Sequence, residues 1–217
     1  MYLCGVNTGA IFKSDKKAHI IDVAVELFSK NGFEGASMRD LANAAGVNIA
    51  MINYYFGTKE KLFAAIVETG SGLFRDMMEE LSKDKKLSAI QKMDKIIEFH
   101  VDKILSNRHF YKVLHSEVLL SKRPELNEAI GELIKKNSKL INSIIDDGYK
   151  TGEFKKVDTK LTVSTIFGTT YHVFLSRTIA NLIFEKGNGD DPFLNEKNKK
   201  RVINHIKQLM HAFLLKN

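Results

Sequence analysis

The stretch Ser37-Met38-Arg39-Asp40-Leu41-Ala42-Asn43-Ala44-Ala45-Gly46-Val47-Asn48-Ile49-Ala50-Met51-Ile52-Asn53-Tyr54-Tyr55 decides the fold. Ser37 with Asp40 three residues on is close to a capping box, in which hydroxyl and carboxylate satisfy each other's backbone N–H groups at a helix start. Leu41, Ala42 and Ala45 then recur at helical spacing and form an inner face. Gly46 supplies a tight turn, and Val47 plugs the angle it makes. A second short helix is expected over 48–55, before Gly57-Thr58 breaks the chain again. Two short helices joined by a glycine turn make a helix-turn-helix layout.

Working outward, residues 15–30 read as a helix with Ile21, Ala24, Val25 and Phe28 on one stripe. Asn31-Gly32 ends it, glycine suiting the left-handed position after a helix. Thr58 caps a long helix expected over 59–82, with Leu62, Phe63, Ile66 and Leu73 as its core. Further helices are expected over 87–106, 109–120, 124–150, 159–185 and 195–215. Pro124 stands at a first helical position, Asp158 is an N-cap, and 186–192 is a loop. The expected fold is all-α, with about nine helices. Residues 1–14 form a loose arm, 15–60 a three-helix unit, and 61–217 a larger helical domain reached through the long fourth helix.

Composition excludes several classes. The chain has 217 residues, enough for a sizeable core, and 44% apolar residues, ordinary for a globular protein. Two prolines among many Leu, Ile, Lys and Glu residues favour helices over sheets. The lone Cys4 closes no internal disulfide, and no Cys/His spacing suggests a metal site. A reducing, cytoplasmic setting is expected. Residues 1–12 lack the basic and apolar regions of a signal peptide, and no run of 18 apolar residues predicts a membrane span. The net charge is +7. Residues 1–60 nevertheless hold six basic and six acidic side chains, so the excess lies entirely beyond them. Any affinity for nucleic acid must come from where single bases fall, not from bulk charge.

Three runs in register, AVELFSKNGF (24–33), SMRDLANAAGV (37–47) and INYYFGTKEKLF (52–63), resemble the TetR family of bacterial transcriptional regulators. The likeness covers residues 16–63. It implies a helix-turn-helix whose second helix enters the DNA major groove, there exposing Asn48, Ile49, Ala50, Asn53 and Tyr54, with Val47, Ile52 and Phe56 packed inward. By matching position it implies a phosphate at the helix start capped by Ser37. It implies a base-edge contact for Arg39, backbone contacts for Tyr54 and Tyr55, and a phosphate contact for Lys59. Asn53 stands where many members have tyrosine; its amide suits either adenine N6 and N7 or a phosphate. Ile49, Ala50 and Met51 follow Asn48 where the family favours polar residues, so readout by this helix narrows to Asn48 and Asn53, with Arg39 helping. The tyrosines and the Lys13–Lys17 arm add affinity.

The resemblance also implies that the C-terminal part binds a small-molecule effector and forms a homodimer. The final helix carries a stripe of Val202, Ile206, Leu209, Met210, Phe213 and Leu214, and the helix before it offers Val163, Ile166, Phe167, Thr170 and Phe174. Gly168 and Ser164 permit close approach. These stripes form either a four-helix dimer bundle or intrachain core. Candidate dimer residues are Ile166, Thr170, Phe174, Ile206, Leu209, Met210 and Phe213. For a pocket, polar residues on apolar lines are the candidates. His100 interrupts Ile97 to Ile104, Glu117 interrupts Leu114 to Ser121, and Asn137 interrupts Leu133 to Leu140; Thr170 and Tyr171 lie midway along their helix. Each needs a partner, either another side chain or a ligand. Phe99, Phe110, Phe167 and Phe174 make the expected cavity apolar.

The expected function is therefore a homodimeric repressor that a small effector releases from a palindromic stretch of double-stranded DNA. A ligand-independent structural or division-control protein on the same fold is the other DNA-binding class. An enzyme is not expected: no Gly-rich phosphate loop follows a strand, no nucleophile elbow is present, and no cofactor or metal motif occurs.

Overall fold

The computed structural model describes residues 16–120, 123–184 and 191–216. The expected arm over 1–14, including Cys4 and Lys13, lies outside the described residues. So do Ser121, most of the expected 186–192 loop, and the side chain of Leu73. The helices are α1 (Lys16–Asn31), α2 (Met38–Ala45), α3 (Ile49–Phe56), α4 (Lys59–Lys83), α5 (Ala89–Ser106), α6 (Arg108–Leu120), α7 (Pro124–Lys150), α8 (Thr159–Leu175), α9 (Arg177–Ile183) and α10 (Glu196–Leu214). Among the described residues, extended pairing is limited to one bridge between Phe154 and Leu215.

That makes ten helices among the described residues where the apolar pattern suggests about nine. The expected helix over 159–185 is two. α8 stops at Leu175, and Ser176 takes an extended conformation and caps α9, its hydroxyl accepting from Ile179 N at 3.3 Å. The hydrophobic run continues through this break, so periodicity alone conceals it.

The described residues fall into two compact units. The first holds those up to Gly70 together with Lys112–Ile130; the second holds Ser71–Tyr111 and those from Gly131 onward. In the first unit, α1 buries Ile20, Ala24 and Phe28. The stripe is thus centred one residue earlier than the expected Ile21–Val25 pair, which sits at its edge, half-buried. Phe28, Phe33 and Phe63 pack as a trio with ring centroids 5.3–5.5 Å apart. Ser37 and Asp40 close a complete capping box: Asp40 N donates to Ser37 Oγ (3.2 Å) and Ser37 N to Asp40 Oδ2 (2.9 Å). The Ser37 hydroxyl and then the Ser37 N–H, both donating to Asp40 Oδ2, hold the Asp40 carboxyl below its ordinary range. Gly46 adopts φ 63°, which frees α2 to end abruptly and α3 to leave at a new angle.

The second unit is a helical bundle around Met93, Ile96, Ile97, Val101 and Ile104 of α5, packed with Ile144, Val163, Ile166, Phe174, Ile206 and Met210. Its ends are tied by one short segment. Glu153 caps α5, its carboxylate accepting from Ala89 N (2.8 Å) and Ile90 N (3.0 Å), where a helix start favours negative charge. The next residues pair with the end of α10, with Lys155 N donating to Leu214 O at 2.7 Å and Lys216 N to Glu153 O at 3.2 Å. Phe154, fully buried, lies against Gly148 of α7.

A Cβ at position 148 would run into the Phe154 ring. Gly→Ala in a helix ordinarily gains up to about 1 kcal/mol. Here overpacking outweighs that gain. Gly148→Ala is expected to lower stability by about 1–3 kcal/mol in urea unfolding, and a stabilised variant would show that Phe154 moves freely.

Candidate DNA interface and buried polar cluster

The α2–α3 pair presents a defined set of side chains. Arg39, Asn48, Ala50, Asn53 and Tyr54 are exposed, Tyr54 at 84%, while Ile49 and Tyr55 are half-buried. Ile52 and Phe56 pack inward and Val47 is half-buried. Tyr54 and Tyr55 meet edge to face, centroids 5.4 Å apart.

Several expected contact groups already have work within the fold. Asn48 Oδ1 accepts from Ala50 N at 2.9 Å, so this residue is the cap of α3. Ser37 Oγ donates to Asp40 Oδ2 at 2.6 Å. Lys59 Nζ donates to the Phe33 carbonyl at 3.0 Å and lies 4.4 Å from the Phe33 ring centroid, bracing the start of α4 against the loop after α1. Arg39, Asn53 and Tyr54 therefore lead the outward-facing surface.

Sequence reasoning passes over a second brace on Phe33. Arg123 stacks on the same ring at 4.4 Å and pairs with Glu34 and Glu117. Glu117, a pocket candidate on sequence, is thus a buried carboxylate with a guanidinium partner in the first unit.

In the second unit the polar candidates separate. Thr170 is fully buried and satisfied by its own helix, Oγ1 donating to Ile166 O at 2.8 Å. Asn137 Oδ1 is buried without a hydrogen-bond partner among the described residues. His100 and Tyr171 come together. The His100 ring lies 4.2 Å from Phe167 and 5.7 Å from Tyr171, and its Nε2 has no hydrogen-bond partner. Burial, with Lys103 beside it, pushes the His100 pKa down to about 3. Lys103 is itself pushed down to about 8 by burial and by Arg75. Burial pushes Tyr171 up to about 12, and burial with Tyr171 nearby pushes Tyr111 up. Sequence reasoning passes over the surroundings of His100, although Lys103 lies one helical turn from it.

Elsewhere in this unit a groove of about 440 Å³ is floored by Met77, Leu81 and Phe99. Glu80, Asp84, Glu98 and Asp102 rim it, with Lys95, and that acidic edge disfavours an anionic ligand.

The expected dimer residues also divide. Ile166, Thr170, Phe174, Ile206 and Met210 are at most 2% exposed and belong to the chain's own core, so their stripes are intrachain. Leu209 and Phe213 are 41% and 47% exposed. On α8 the outward face is Leu161, Ser164, Thr165, Gly168 and His172.

An exposed recognition surface on a glycine-turned helix pair defines a helix-turn-helix DNA-binding protein. Residues 20–66 match the model of the bacterial regulatory proteins of the tetR family, and 68–188 that of the YsiA-like C-terminal region. The chain belongs to the TetR family and is a DNA-binding transcriptional regulator. Over 158 residues it is 31% identical to the fatty acid metabolism regulator protein of Bacillus subtilis, spanning 72% of this chain and 80% of that one. The solved FadR of B. subtilis, in complex with stearoyl-CoA, aligns with TM-score 0.70 and 25% identity over 87% of this chain and 96% of the other. FadR of Bacillus halodurans has the same fold, with TM-score 0.73 and 22% identity over 92% and 96% of the two chains. No helix among the described residues is long and apolar enough to cross a membrane, and no metal-holding cluster occurs among them.

The buried histidine makes a signed pH prediction. Its folded pKa lies below the unfolded value of 6.5, so the unfolded chain takes up a proton first and stability falls as pH drops from about 6.5 towards 3. His100→Phe should remove up to about 1.4 kcal/mol of that loss per pH unit. Urea unfolding of both proteins at pH 7, 6 and 5 measures it. Parallel pH profiles would mean that His100 takes up its proton as readily in the native state as in the unfolded chain.

Proposed function

We propose that the chain is a homodimeric repressor that holds a palindromic operator and lets go when a long-chain acyl-coenzyme A enters the second unit. The carrying observation is the pairing of two features in one chain. One is a reading surface led by Arg39, Asn53 and Tyr54. The other is a second unit that resembles proteins named for fatty acid regulation and buries a cluster of hydrogen-bond donors among aromatic rings.

The operator contacts sort by chemistry. Arg39 suits guanine O6 and N7, and Asn53 suits adenine N6 and N7; both specify sequence. Tyr54 and the N-terminus of α2 suit phosphates, which set register and salt dependence. With Lys59 braced inside the head, fewer cations remain for the backbone, so specificity leans on the groove-facing pair. Two heads must act together to read a palindrome, and the proposed dimer face is the outward side of α8 and α10. Leu161, Leu209 and Phe213 supply apolar area there, and Gly168 permits close helix approach. We place the protein in the cytoplasm, with its DNA, and assign it no catalytic role.

Footprinting on DNA upstream of its own gene should find a palindrome. Fluorescence anisotropy on that duplex should show palmitoyl-CoA weakening binding at least tenfold, and coenzyme A alone doing little. Arg39→Ala should cost about 1–3 kcal/mol of operator affinity while leaving random DNA nearly unchanged. Operator affinity that palmitoyl-CoA leaves unchanged would overturn the acyl reading, and equal affinity for operator and random DNA would overturn specific repression.

A further inference from the structure

The chain's positive excess lies wholly beyond residue 60, and the fold gathers part of it at one end of the second unit. Glu153 is the centre of that end. Its carboxylate holds Ala89 N and Ile90 N at the start of α5, and its carbonyl accepts from Lys216 N, just past α10, at 3.2 Å. Lys92 Nζ, in the first turns of α5, donates to Ser82 O at 3.0 Å and so draws in the end of α4. Phe154 N donates to Gly148 O at 2.9 Å, which adds the end of α7, and α8 begins five residues further on. These helix ends therefore close a single face.

Six exposed lysines stand on it: Lys83, Lys85 and Lys86 ahead of α5, Lys156 and Lys160 after Glu153, and Lys216. None of their ammonium groups makes an ion pair or hydrogen bond among the described residues. The nearby acids are mostly engaged. Asp84 Oδ1 accepts from Lys86 N at 2.8 Å, Asp147 pairs with Lys150 at 3.4 Å, Asp158 caps α8 by accepting from Leu161 N at 3.0 Å, and Glu153 caps α5. Glu79, Glu80 and Asp146 are the carboxylates left over, three against six. Like charges gathered on one face repel, so the face gains from an opposed field.

The kind of cation and its company point to the partner. All six are lysines, compact point charges on flexible stems, which suit a diffuse anionic field; arginine's planar fork suits a phosphate held in fixed geometry. Tyr149, in the last turn of α7, is 47% exposed at the same end, and a ring with a polar tip suits the boundary between lipid headgroups and hydrocarbon. We propose that this lysine face is a docking surface for an anionic lipid bilayer, held reversibly by charge. The attraction adds up over the lysines and fades within a Debye length, so it is salt-sensitive. The inference stands apart from the effector reading. It would complement it, because a long acyl chain partitions into bilayers, and the face would hold the regulator where such a compound concentrates.

Co-sedimentation of the full-length protein with lipid vesicles, without any effector, tests the face. Vesicles of phosphatidylcholine mixed with phosphatidylglycerol should bind at least tenfold more tightly than phosphatidylcholine alone, and high salt should abolish the difference. Lys83→Glu with Lys86→Glu, and Lys156→Glu with Lys160→Glu, should each remove at least tenfold of the vesicle affinity while leaving operator affinity unchanged. Lys135→Glu with Lys136→Glu alters net charge equally, but Lys135 lies about 22 Å along α7 from Lys150, so this control pair should cost far less. Equal binding to the two kinds of vesicle would overturn the proposal. A control pair as damaging as the face pairs would overturn it in favour of bulk charge. Face variants that lose affinity for random duplex DNA as strongly as for vesicles would make the face a nucleic-acid surface and overturn it too.

Discussion

Phe33 is the residue on which the DNA-binding head depends. Its ring packs with Phe28 and Phe63 and carries both the Lys59 ammonium and the Arg123 guanidinium at 4.4 Å. A three-helix head has too little apolar interior to hold its helices by bulk burial alone. Aromatic pairs add about 0.5–1.5 kcal/mol beyond their area, and cations over a ring contribute at a comparable level. The trio fixes α1 against the start of α4, and Lys59 ties that start to the preceding loop through the Phe33 carbonyl. The aim of α2 and α3 follows, since α3 has only Ile52 and Phe56 buried to hold it.

The same bracing explains what the head has left for DNA. A lysine at the start of α4 reads from sequence as a phosphate contact, and the asparagine after Gly46-Val47 reads as a base contact. Both are engaged by the fold, one in a carbonyl bond and the other in a helix cap. The outward surface is consequently small and only weakly basic, led by Arg39, Asn53 and Tyr54. Recognition by such a surface depends more on groove-facing hydrogen bonds than on counterion release.

How much of this was legible depends on the range of the interaction. Ser37 with Asp40, Gly46, and Asp158 are local signals, and the helix starts and the turn follow from them. The apolar stripes of α8 and α10 announce that a face is buried but not against what. Ile166, Phe174, Ile206 and Met210 face their own chain, and only tertiary packing decides that. His100 stood out because it interrupts an apolar line. Arg75 and Lys103 did not, because long cations usually keep their heads in water. Glu117 found its partner six residues away in Arg123, beyond any helical pairing rule that sequence spacing offers. The break at Ser176 hid inside continuous apolar periodicity.

The proposed function joins operator binding by one unit to effector binding by the other, and such a coupling is reciprocal by thermodynamic necessity. Calorimetric titration of palmitoyl-CoA into the protein, alone and saturated with its operator, tests that join most directly. The effector should bind the operator complex more weakly, by the same factor by which it weakens operator binding. Equal affinity for the free and DNA-bound protein would contradict the claim that the ligand controls repression.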